Sequence, residues 1–320
     1  KNRITLVILF ILTASVMTAQ TYDDLSGQQN DQLRTITTAV PFLLIAPDAR
    51  AAGLGDVGVA TSPDANSMHW NPAKFAFIEN KMGFSVSFTP WLRNLGINDM
   101  YLAYLAGYYK IDDRQAVASS LRFFTLGEIM FTNIEGGLEG IYKPTEWSLD
   151  ATYSRKFSKN WSGAVAGRFI YSNLTQGQNV GGAETSAGIS IAADVAVYYT
   201  KGIDLGTMDG NITWGLNISN IGSKISYSET SIKKDFIPTN FRTGTAFLMN
   251  LDEFNSLTFT IDVNKLLVPT PPVYARDEDG NFLVGTDGNY IIAEGKDPNV
   301  SPVQGMIQSW YDTPSGFDEK

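Results

Sequence analysis

The stretch ARAAGLGDVGVATSPDANSMHWNPAKFAF, Ala49–Phe77, decides how the rest of the chain is read. It keeps neither the two-residue period of a strand nor the 3.6-residue period of a helix. Gly53, Gly55 and Gly58 let backbone approach backbone. Asp64 and Asn66 favour turns, and Asn71, standing before Pro72, is held extended. His69 and Trp70 add an apolar-polar cluster in the same place. This is the pattern of compact, irregular chain packed inside something. At membrane depth such chain is tolerated only where protein buries it or it lines a watery cavity.

Downstream the period becomes two. Met82, Phe84, Val86 and Phe88 alternate with Gly83, Ser85, Ser87 and Thr89. The same alternation predicts strands over residues 82–90, 99–111, 114–126, 146–157, 161–174, 185–201, 211–221, 240–250 and 256–267. A soluble sandwich would alternate in the same way. Two features favour a membrane barrel. The segments exceed the usual strand length, and aromatics gather near their ends: Trp91, Tyr101, Tyr108, Tyr109, Trp147, Tyr153, Trp161, Tyr171, Tyr198 and Tyr199. On the polar face, Arg122, Asp150, Arg168, Asp194, Arg242 and Asp262 are expected to point into a lumen. Long and short connections alternate, and in outer-membrane barrels the long ones are extracellular. That places the irregular stretch on the periplasmic side and residues 268–320 outside, as one long loop segment.

Upstream, Lys1 and Arg3 precede the apolar run Ile4–Leu12 and the small pair Thr18-Ala19, the form of a secretory signal peptide over 1–19. Residues 20–40 read as a polar periplasmic segment, 41–81 as the plug and 82–267 as the barrel strands with their loops. Charged residues make up 18% of the 320, well below a soluble domain's share, and aromatics 12%. A net charge of -9 argues against nucleic acid, which needs basic patches. Without cysteine there is no disulfide, thiolate metal site or cysteine nucleophile.

The pattern AxAAGLGxxGVATSxDANSMHWNPAKFAF resembles the amino-terminal plug of the FadL-like outer-membrane barrels. In its unbroken form, DVGVATSPDANSMHWNPAKFAF, it is similar to the PorV family (also called LptO), outer-membrane shuttles of the type IX secretion system. The resemblance implies an all-β transmembrane antiparallel barrel with its plug built on Gly53, Gly55, Gly58, Asp64, Asn66, Trp70, Asn71 and Pro72. FadL-like barrels are fourteen-stranded. The nine strands predicted here therefore imply a chain that lacks its last strands. The family role is to bind secreted cargo leaving the translocon barrel by its C-terminal signal domain. The cargo is then passed to a surface attachment complex with a sortase-like protein. No catalysis or cofactor is implied. Outer-membrane lipid surrounds the wall. The alternative within the wider family is a channel for fatty acids or other hydrophobic molecules, which needs an apolar lumen.

Cargo would be held by exposed apolar side chains on the extracellular loops, and Trp91, Leu92, Ile129, Phe131, Phe236, Ile237, Val268 and Tyr274 are the candidates. Loop self-packing or the membrane girdle is the competing role for each. Other chemistries find little support. His69 is the lone histidine, too few for an ordinary zinc site and without a G-x-S-x-G elbow to serve. The glycines at 53, 55 and 58 match a dinucleotide fingerprint in form, but no strand precedes them. A carboxylate pair for glycoside hydrolysis is outweighed by pairing with lumen arginines. Asp277, Asp279, Asn281, Asp287 and Asn289 offer oxygen ligands for calcium, but lack EF-hand spacing, so turn chemistry is the default. DEDGNFLVG and TDGNYIIAEG, residues 277–295, form a small internal echo and predict a short meander.

Overall fold

The computed structural model describes residues 36–312 except 133–135, 181–182, 205, 207–208, 229–233, 278–279 and 287. The expected leader and residues 20–35 of the polar segment lie outside the described residues. The fold is all-β, and nine antiparallel strands make one sheet in which each pairs with its sequence neighbours. They are β1 Met82–Pro90, β2 Tyr101–Lys110, β3 Gln115–Thr125, β4 Thr145–Lys156 and β5 Trp161–Asn173. The sheet continues through β6 Gly188–Asp204, β7 Asp209–Gly222, β8 Asn240–Asn250 and β9 Ser256–Leu266. Every predicted strand is present within three residues of its expected bounds. The sheet is open: β1 and β9 are its two edges among the described residues.

Alternation sets the two faces. Along β1 the exposed residues are Met82, Phe84, Val86 and Phe88 (62–80%) and the terminal Pro90, all apolar. Across the wall the outward row Val86, Leu105, Leu121, Leu149, Phe169 and Ile191 stays in register through six strands. The inward face is polar and buried, carrying Ser120, Arg122, Ser148, Asp150, Arg168 and Asp194. Its charges pair: Arg168 bridges Asp150 and Asp194, with Asn220 beside them.

The sheet has a turn end, with connections 111–114, 157–160, 205–208 and 251–255, and a loop end, with 91–100, 126–144, 174–187 and 223–239. Small ribbons stand on the long connections, among them Ile129–Thr132 with Leu138–Tyr142. Outward aromatics band both ends: Phe88, Tyr101, Phe123, Trp147 and Tyr171 towards the loops, Trp161, Tyr199 and Trp214 towards the turns. Three expected girdle residues belong elsewhere. Tyr108 and Tyr198 are buried inward against Phe75 and Phe77, and Trp91 packs on Phe124. Alternation is the reason for the tyrosines, since of two adjacent strand residues one must face in.

The expected boundary at 40/41 is also displaced. Ala39 and Val40 are already buried with Phe42, Leu43, Ile225 and Ile237, and Ala39 N donates to Phe236 O at 2.9 Å. From Ala39 the described chain runs from the loop end through the concavity of the sheet and reaches Pro72–Phe77 near the turn end before entering β1.

Candidate functional site

The plug is a run of capped turns held by strand side chains. Asp48 caps the helix Ala49–Gly53, accepting from Ala51 N at 2.9 Å, and its second oxygen accepts from the Trp70 indole at 2.7 Å. Asp64 accepts from Asn66 N at 3.0 Å and from the Arg50 guanidinium at 2.8 Å, closing the turn before Ser67–Trp70. Asn71 caps the helix Pro72–Phe77 by accepting from Ala73 N at 3.0 Å, and Pro72 occupies its first turn, where a missing N–H costs nothing.

The wall meets this chain atom by atom. Asp262 on β9 accepts from Gly58 N at 2.7 Å and Val59 N at 2.9 Å. Thr213 donates to Ala60 O at 2.6 Å, and Asn217 donates to Trp70 O at 3.1 Å. Asn71 reaches outward, its amide donating to Val59 O at 2.9 Å and Val197 O at 3.0 Å. Ser154 and Ser162 both donate to Ala73 O. Two inward glycines on neighbouring strands, Gly215 and Gly244, are direct register partners. A Cβ on Gly215 would overlap Val59 O, and one on Gly244 would overlap the Asp262 carboxylate and Ile261 O, with a Val59 methyl 2.8 Å away. The bareness of Gly215 lets the plug backbone lie directly on the wall, and that of Gly244 leaves room for the Asp262 carboxylate that grips the plug.

Three basic side chains complete the seal. Arg122, almost wholly buried, donates to Leu43 O at 2.6 Å and to His69 Nδ1 at 2.7 Å, joining both halves of the plug to β3. Arg242 lies over the Trp70 ring at 4.4 Å. Lys74 donates to Gly58 O at 2.9 Å and Thr61 Oγ1 at 3.1 Å. Lys74 is on the plug, not on a strand, and burial pushes its pKa down to about 8. Burial and then Arg122 hold His69 well below the ordinary histidine value, so it is a neutral acceptor.

Of the eight plug residues picked out in the sequence, seven have these local or packing roles; Gly53 is exposed with nothing near its Cβ position. Gly55 is also exposed, and its φ of 81° is what requires glycine. Of the three, Gly58 alone is closely packed, and against the Trp70 ring rather than against another backbone. Sequence reasoning missed Asp48, Lys74, Gly215 and Gly244. Bare glycines at inward positions of β7 and β8 were a legible sign of close backbone approach.

The loop candidates divide. Leu92 and Ile129 are exposed at 42% and 38%. Phe131 packs edge-on to Tyr142, Phe236 lies under the Lys224 ammonium, and Tyr274 is half-buried in an aromatic cluster. Ile237 and Val268 are each 2% exposed and are not surface anchors. Ile237 packs into the loop-end core with Val40 and Ile225, because the long loops bury their own apolar residues over the plug. Trp91 packs on the same core. Among the described residues no group of three His, Cys, Asp or Glu side chains is placed to hold a metal, and no helix is long and apolar enough to cross a membrane.

Compared with known proteins, residues 27–273 match the family model described as type IX secretion system protein PorV. No curated protein matches the chain.

Proposed function

This chain belongs to the PorV family of type IX secretion system proteins, and from that premise we propose that it is an outer-membrane cargo shuttle. The apolar outer wall sits in lipid between the two aromatic bands. The loop end faces the cell surface, where it binds secreted proteins by their C-terminal signal domain. It receives them at the translocon barrel and delivers them to the attachment complex with its sortase-like member. The observation that carries this reading is the family match over residues 27–273. The geometry supports it in two ways. Trp161 and Tyr171 lie ten residues apart on β5, a rise of about 33 Å that a strand tilt near 45° reduces to roughly the height of an outer-membrane apolar band. The inward wall is polar and stitched to the plug, which favours carrying cargo on the outside over passing lipid through the middle.

The test is a pull-down of the full-length protein from detergent-solubilised outer membranes, with co-purifying proteins identified by mass spectrometry. Recovery of a very large translocon barrel and of proteins sharing one C-terminal β-domain is the expected result. A barrel that emerges alone with bound long-chain lipid would replace this reading with the channel.

A further inference from the structure

The helix Pro302–Gln308, in the segment after β9, has its two faces inverted. Ser301 caps it by accepting from Gln304 N at 3.3 Å. At its far end the N–H groups of Ser309, Trp310 and Tyr311 donate to the carbonyls of Gly305, Ile307 and Gln308, so the chain keeps turning as far as Tyr311. Gly305, Gln308, Ser309 and Asp312 are buried, at the spacing of one helix face. A Cβ on Gly305 would press on Phe236 and Pro269. Gln308 donates to Asp297 O at 3.1 Å, and Asp312 accepts from Thr270 N at 3.0 Å. The opposite face carries Val303, Ile307, Trp310 and Tyr311, exposed at 62%, 60%, 54% and 46%. A surface helix in water buries its apolar stripe and shows its polar one. This helix buries glycine, amide, hydroxyl and carboxylate, and presents its large apolar side chains outward.

Trp310 fixes where that face lies. Its ring packs edge-on to Phe241 at 5.5 Å, and Lys265 Nζ stands 5.4 Å from its centre. Phe241 and Lys265 are register partners at the loop end of β8 and β9. They face outward, because Arg242, next to Phe241, points inward to Trp70. From Lys265 towards the turn end, the outward column of β9 is Val263, Ile261, Phe259 and Leu257, all exposed. Trp310 thus extends the loop-end aromatic band to β8 and β9, and the apolar helix face continues the apolar wall. Lysines border it on two rings: Lys265 over Trp310, and Lys296 Nζ over Tyr311 at 3.7 Å. Among the described residues neither ammonium is in an ion pair. Of the nearby carboxylates, Asp312 is taken by Thr270, and Asp297 accepts from Asn299 N. Aromatic rings with lysine stems laid on them suit the boundary between acyl chains and anionic headgroups.

We propose that residues 302–311 are an interfacial anchor: the Val303, Ile307, Trp310 and Tyr311 face sinks into the outer leaflet beside β8 and β9, and Lys265 and Lys296 meet anionic lipid headgroups. The proposal rests on the reading of the outer wall as lipid-facing, and adds a membrane contact made by a segment outside the sheet. The experiment places one nitroxide-labelled cysteine in the full-length protein, as Ile307→Cys, Phe259→Cys or Asp113→Cys. Each is reconstituted into vesicles of phosphatidylethanolamine and phosphatidylglycerol, and heat-modifiable migration on gels reports folding. Collisions with oxygen, which concentrates in hydrocarbon, are compared with collisions with a water-soluble nickel chelate. Phe259 on the wall and Asp113, fully exposed in a turn, calibrate lipid and water. The oxygen-to-nickel ratio at 307 should approach that at 259 and exceed that at 113 at least about threefold. A ratio at 307 equal to that at 113, with 259 in lipid, overturns the anchor and leaves the wall reading intact. A label at 307 shielded from both probes overturns it in favour of a covering protein. A label at 259 in water overturns the wall reading and the anchor with it. Adding Lys265→Gln and Lys296→Gln should lower the ratio at 307 in these vesicles and leave it unchanged in phosphatidylcholine alone. No change in either lipid overturns the headgroup contact.

Discussion

Gly215 and Gly244 show how little of the plug interface is visible in the plug itself. Both are inward glycines in the middle of strands, where glycine ordinarily weakens the sheet. At Gly215 the Val59 carbonyl occupies the space a methyl would need, and at Gly244 the Asp262 carboxylate and Ile261 O do, with a Val59 methyl beside them. Gly215→Ala meets backbone on one side and a hydrogen-bonded Asn71 amide on the other, so neither neighbour can yield cheaply. It should destabilise the protein by about 1–3 kcal/mol, read as a lower unfolding midpoint in detergent. Gly167→Ala, with nothing within 4 Å of its Cβ, is the control and should leave the midpoint unchanged or slightly raised. Asp262 makes a second case. Its carboxylate takes two plug N–H groups, and Asp262→Ala leaves both without an acceptor. A loss of about 2 kcal/mol or more is expected, with faster proteolysis near Gly58; unchanged cleavage would mean the plug does not depend on this contact.

At the scale of elements, the strands were legible because alternation is local: each segment carries its own two-residue period and its own turn residues. The short turns were legible for the same reason, and they make a pH prediction. Asp252 accepts from the Asn255 side chain and from the backbone N–H groups of Phe254 and Asn255, which holds its carboxyl below the ordinary aspartate value. A carboxyl with a depressed folded pKa contributes stability that is present above about pH 4 and lost as pH falls through the folded value. Amide protection at Phe254 and Asn255, corrected for intrinsic exchange, should therefore drop between pH 6 and pH 3. In Asp252→Asn it should be the same at both. What was not legible depends on distant partners. Nothing near Ala39 and Val40 says that they pack beside Ile225 and Ile237, and nothing near Ile237 says that it is covered. Of the eight-residue repeats at 273–280, 281–288 and 289–296, the third was hidden too, because Ala293-Glu294-Gly295 departs from the Asp-Gly-Asn turn that marks the first two.

For the whole molecule, the decisive property is that plug and wall form one bonded unit. The plug is held by strands from β3 to β9, through carbonyls, amides, a carboxylate and two bare glycines, over most of the breadth of the sheet. A channel that passes its substrate along the lumen must displace such a segment, whereas a shuttle that carries cargo on its loops has no need to move it. The absence of cysteine gives a clean background for testing which applies. Ala60 and Ala246 are buried in the same cluster, and the Thr213 hydroxyl contacts the carbonyls of both. Ala60→Cys with Ala246→Cys should therefore place two thiols within disulfide reach across the plug–wall interface. Oxidised in the outer membrane, the tethered protein should bind cargo and support its appearance at the cell surface as well as the reduced form does, since the native bonds already fix this contact. Loss of surface cargo on oxidation, restored by reductant and absent from either single-cysteine variant, would mean that the plug must leave the wall during the cycle. The shuttle would then have to work by opening its lumen, and the loop end could not act alone.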